Sequence, residues 1–88
     1  MNQFLSIEVV RAEVQLLELA HELVMLSTAD DVVEVNDNRI TLTYVGRGSE
    51  SIMLCLDEKY SDSTRIQYAR ENMARLEKIK SDLVSWAA

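Results

Sequence analysis

The chain has no proline, two glycines, one cysteine and one histidine in 88 residues. Each shortage excludes something. Without proline, nothing interrupts a helix once it has started. With Cys55 alone, no intramolecular disulfide can form and no thiolate set can hold structural zinc, and His21 adds only one further ligand. No metal and no cofactor is therefore expected. A phosphate-cradling loop needs more glycine than Gly46 and Gly48 supply. Gly46-Arg47-Gly48-Ser49 also runs into a strand pattern instead of a helix start. Aromatic residues make up 6% of the chain, and no stacking platform for single-stranded nucleic acid is evident on the strand segments, where Tyr44 belongs to the inward set. Long apolar runs are missing too, because Glu8, Glu13, Glu18 and Glu22 interrupt the first helical segment, so no membrane span is expected. Met1-Asn2-Gln3-Phe4 lacks the basic start and small-residue cleavage site of a secretory leader. A cytoplasmic location follows as the expectation, the host cytoplasm if the chain is viral.

The length fits a single domain over residues 1–88. A chain of this size buries only about 60–65% of the surface its unfolded form exposes, so its stability margin is thin. With disulfide and zinc excluded, self-association is the remaining source of support. The formal net charge of −6 is unevenly placed. Residues 1–37 carry eight acids against one base, Arg11, giving −7, and residues 38–88 carry seven acids against eight bases, giving +1. The acidic half disfavours nucleic acid and anionic membranes and favours a basic partner surface. Acidity that merely keeps the protein in solution gives the same count.

Apolar spacing sets the elements. A helix is expected over about 3–27, strands over about 32–36, 39–46 and 50–57, and a second helix over about 62–86. Asn36-Asp37-Asn38 and Gly46-Arg47-Gly48 carry turn chemistry in short connections, which makes the three strands an antiparallel meander. Ser61-Asp62-Ser63 is an N-cap cluster for the second helix, whose main stripe is Ile66, Ala69, Met73, Leu76, Ile79, Leu83 and Trp86. The fold class is α+β, a two-layer α-β-β-β-α domain with both helices covering one sheet face. Alternation assigns Val33, Val35, Ile40, Leu42, Tyr44, Ile52, Leu54 and Leu56 to that face, and Glu34, Arg39, Thr41, Thr43, Val45, Met53 and Cys55 to the other.

The most informative feature is the first helix, which has two apolar seams. One runs Leu5, Val9, Ala12, Leu16, Leu19, Leu23, Leu26, and the other runs Ile7, Val10, Val14, Leu17, His21, Val24. Their centres lie about 160° apart at 100° per residue. One seam can pack on the sheet and the second helix. The other is the expected dimer or partner interface, with Glu8, Glu18, Glu22 and Glu34 as an acidic partner surface. If the sheet and second helix wrap the first helix from both sides, both seams are internal and the chain is a monomer.

Catalytic chemistry finds little footing. Cys55 as a nucleophile would need His21 as its base, yet alternation puts Cys55 on the sheet face away from the helices. Asp30-Asp31 and Asp57-Glu58 sit at element ends, where acids cap or solvate. Arg65, Arg70, Arg75, Lys78 and Lys80 scatter around the second helix instead of forming one basic stripe. No catalytic residue is assigned. The expected function is that of a non-enzymatic, small acidic protein–protein interaction module. It would be a homodimer acting as an inhibitor or adaptor by occupying a larger protein's surface, for instance a basic nucleic-acid-binding site. Size and acidity give it the type of a phage or mobile-element inhibitor. In architecture alone, the α-β-β-β-α order resembles the small YbaB-type nucleoid-associated dimers. That resemblance implies the alternative of a DNA-associating dimer using bases of the second helix with Arg39 or Arg47.

Overall fold

The computed structural model describes residues 7–36, 41–46 and 49–87, with side chains as far as Ser85. The order is α1 (Ile7–Met25), β1 (Val32–Asn36), β2 (Thr41–Val45), β3 (Ser49–Met53) and α2 (Asp62–Ala87). The strands form an antiparallel meander in the order β1-β2-β3. Val33 pairs with Tyr44 and Val35 with Leu42, while Leu42 pairs with Ile52 and Tyr44 with Glu50. Both helices pack on one face of this open sheet, which is the expected α+β arrangement. Leu5, Arg39, Ile40, Arg47 and the Asp37-Asn38 turn lie outside the described residues, as does the side chain of Trp86.

The first seam of α1 goes inside. Leu16, Leu19 and Leu23, with Ala20 beside the seam, are buried in one cluster with Val33, Leu42, Tyr44, Ile52 and Leu54 from the sheet side, and Val9 is buried as well. From α2 come Ala69, Leu76, Ile79 and Leu83. The buried stripe of α2 in fact runs 65, 69, 72, 76, 79, 83, because Arg65 and Asn72 occupy two core positions that apolar spacing alone passes over. Arg65 is thus not one of a scattered set of surface bases. Ser61 caps α2, its Oγ accepting the Thr64 N–H at 3.3 Å.

The third strand is shorter than alternation predicts. It stops at Met53, where the Asn72 side chain of α2 donates Nδ2–H to the Met53 carbonyl at 2.8 Å and to the Leu54 carbonyl at 3.3 Å. The chain bends at Cys55. Cys55 therefore does not lie on the outer face but packs against the core, half-buried, correcting the alternation reading. Leu54 remains inside as expected.

A side chain blocks each sheet edge at one point. At β1, the Val33 N–H donates to Ser27 Oγ at 2.9 Å, and Ser27 Oγ–H donates back to the Val33 carbonyl at 3.3 Å. Both polar groups of Val33 therefore point away from β2, and by the two-residue period those of Val35 do too. At β3 the Met53 carbonyl is taken by Asn72. Occupied edges resist pairing with other chains, so the remaining open stretch of β1 is centred on Val35.

The link between α1 and β1 is held by a buried acid. Thr28 N–H donates to the Asp31 carbonyl at 2.8 Å, while Thr28 Oγ1 accepts the Asp31 N–H at 3.1 Å. Tyr44 Oη–H donates to Asp31 Oδ1 at 3.1 Å. Asp30 stays exposed, but Asp31 is buried, so the Asp30-Asp31 pair is not simply a solvated element end. Gly46 lies against this turn. A Cβ there would overlap Asp31 Oδ1 and come within 3.0 Å of the Asp30 carbonyl oxygen and Asp31 Cα. Glycine is required for space. Gly46→Ala should cost about 1–3 kcal/mol, because backbone atoms cannot swing aside as a side chain can, and urea unfolding at constant m-value measures it.

Candidate functional site

The second seam of α1 stays at the surface. Ile7 is 73% exposed, Val14 46% and Val10 40%, while Leu17 and Val24 are half-buried and touch the core. His21 is exposed between them. The seam thus protrudes at its N-terminal end and is recessed at its C-terminal end.

The recess is a groove of about 790 Å³ between α1 and β1. Val14, Leu17, His21 and Val24 form its α1 wall with Ala20, and Val35 of β1 faces them. Glu18 completes the lining and is itself exposed. The lining is predominantly apolar with few polar groups, the usual composition of a recognition surface. Its strand side is the stretch of β1 that Ser27 leaves uncovered.

Of the residues assigned to the interface, Val14, Leu17, His21 and Val24 come together at this groove, and Ile7 and Val10 continue the seam beyond it. The four assigned acids do not form one patch. Glu8, Glu18, Glu22 and Glu34 are all exposed. Glu22 accepts an ion pair from Lys80 at 2.8 Å, and that hydrogen bond, followed by the charge of Glu22, raises the Lys80 ammonium above its ordinary value. Glu34 projects from the outer sheet face beside Thr43. Among the described residues, Glu18 and Arg11 have no ion-pair partner.

The charged cluster that sequence reading missed is internal. Arg65 Nη2 donates to both Glu13 oxygens at 3.2 Å, with side-chain exposures of 8% and 17%. Among the described residues, Arg65 Nε is buried without a hydrogen-bond partner. Cys55 lies in the field of this pair. Burial first, then the negative charge of Glu13, pushes its thiol above the ordinary value, while Arg65 pulls it down. A thiol held protonated is a poor nucleophile. His21 belongs to the groove and is not among the groups that act on Cys55. The one sequence signal for the Glu13–Arg65 pair is Arg65's place, four residues before Ala69, in line with the core stripe.

No helix among the described residues is long and apolar enough to cross a membrane, and no cluster of three metal-ligating side chains occurs among them. Comparison with known proteins gives no match to a family model, a curated protein or a solved structure.

Proposed function

We propose that the chain is a non-enzymatic protein–protein interaction module of the cytoplasm, a homodimer that acts as an inhibitor or adaptor by occupying a basic surface on a larger protein. One observation carries this reading: α1 keeps a continuous apolar seam and its groove at the surface, within the half of the chain that carries −7. Ile7, Val10 and Val14 stay exposed while Leu17 and Val24 are only half-covered, and contiguous apolar surface of this kind marks contact sites. The acids add selectivity for a basic partner and speed its encounter more than they add affinity.

The test is competition at low salt. A basic nucleic-acid-binding protein from the native host, loaded with labelled DNA, should release its DNA when the chain is added. The variant Glu8→Lys with Glu34→Lys should release less, and raised salt should suppress release by both proteins. No displacement of any such protein at low salt would overturn the basic-target reading. A direct shift of free DNA by the chain itself would favour a DNA-associating dimer instead.

A further inference from the structure

We infer that the α1 seam is covered by the α1 seam of a second copy, packed antiparallel, with Ile7 of one copy against Val24 of the other, Val10 against His21 and Val14 against Leu17. This rests on the homodimer part of the reading above and specifies its geometry.

Shape is the first support. The protruding end, where Ile7 and Val10 stand out, needs a recess, and the groove beside Leu17, His21 and Val24 supplies one. Only antiparallel packing brings the protruding end of each helix to the recessed end of the other. The contact then occurs twice around a two-fold axis, as an isologous interface requires. The seam steps 3-4-3-4-3, so all the layers meet in one register, spread along about 27 Å of helix.

Charge is the second support. Glu18 and Arg11 are seven residues apart and so share one flank of the seam. In an antiparallel pair related by a two-fold axis, that flank faces its own copy. Glu18 of each copy then lies across from Arg11 of the other, giving two symmetric ion pairs. Arg11 is the sole base among residues 1–37, and it stands where this register needs one. A parallel pair would bring that flank against the one carrying Ala20 and Glu13, where Ala20 is buried and Glu13 is already bound to Arg65.

Charge reversal tests the register. Sedimentation equilibrium should give the unmodified chain a mass of twice the 10.0 kDa of one copy. Glu18→Arg and Arg11→Glu should each weaken the dimer about tenfold, since each turns two attractions into repulsions. Combining them should restore affinity to within about threefold, because the pairs re-form with signs exchanged. Both sites are exposed, so the variants should fold normally, and circular dichroism checks that they do. A dimer whose affinity neither single change alters, or that the double change fails to rescue, overturns the register while leaving homodimerisation standing. A chain that stays monomeric at about 1 mM, a Kd worth only about −4 kcal/mol, overturns both. The competition assay reads the basic-target proposal separately from either result.

Discussion

Glu13→Ala should destabilise the protein by about 3–5 kcal/mol, a large part of the 5–15 kcal/mol that holds a domain of this kind folded. Arg65 lies across the interface between α1 and α2 with its guanidinium almost wholly out of water, and Glu13 is its counter-charge at 3.2 Å. Among the described residues its Nε already lacks a partner, so removing the carboxylate adds Nη2 to the unmet donors of the guanidinium. Truncating Glu13 leaves a buried cation with nothing to neutralise it. Replacing both residues with apolar side chains of similar size, Glu13→Leu with Arg65→Met, should cost much less than the single change, because the desolvation penalty disappears with the charges. Urea unfolding of the single and double variants separates the two effects. If Glu13→Ala cost under about 1 kcal/mol, Arg65 would have to reach water once unpaired, and the buried placement would be wrong. Cys55 gives a second readout. Glu13 raises its thiol and Arg65 lowers it, so removing Glu13 should bring the thiol down toward its ordinary value. In protein that is still folded, thiol reagents should then label Cys55 faster near neutral pH.

The layout of elements was legible because it follows from spacing alone. Val33, Leu42, Tyr44, Ile52 and Leu54 alternate as an inward face must, and Leu16, Leu19 and Leu23 step as a buried helix stripe must. The two seams were equally visible, and which of them faces inward is decided by the sheet and α2 together. Four residues resisted reading, for one physical reason. Arg65, Asn72 and Asp31 are polar side chains at buried positions, and Cys55 lies half-buried beyond a strand that ended early. A polarity pattern assigns such residues to water. Their burial depends on partners far along the chain: Arg65 needs Glu13, 52 positions away, and Asp31 needs Tyr44, 13 away. The end of β3 was hidden in the same way, because Leu54-Cys55-Leu56 keeps the strand alternation going. What stops the strand is an amide on α2.

That amide carries the second large effect. Asn72 is 2% exposed, and its Nδ2 holds the carbonyls of Met53 and Leu54, at 2.8 and 3.3 Å. The contact does three things at once. It ends β3, occupies an outward acceptor at the sheet edge, and ties α2 to the sheet where the chain turns back toward it. Asn72→Ala should cost about 2–4 kcal/mol, since two carbonyls at a buried corner lose their donor and a small void opens. Asn72→Leu refills the volume but restores no hydrogen bond, so it should recover only the packing part of the loss. Amide hydrogen exchange shows where the cost falls. Protection should drop first in β3 and the first half of α2, while α1, held by Leu16, Leu19 and Leu23, should keep its protection nearer the global limit. The freed end of β3 also exposes an open strand edge, so Asn72→Ala should aggregate at concentrations where the unmodified chain stays in solution. Equal loss of protection across all elements, with no change in aggregation, would mean that Asn72 serves general packing and does not guard the sheet edge.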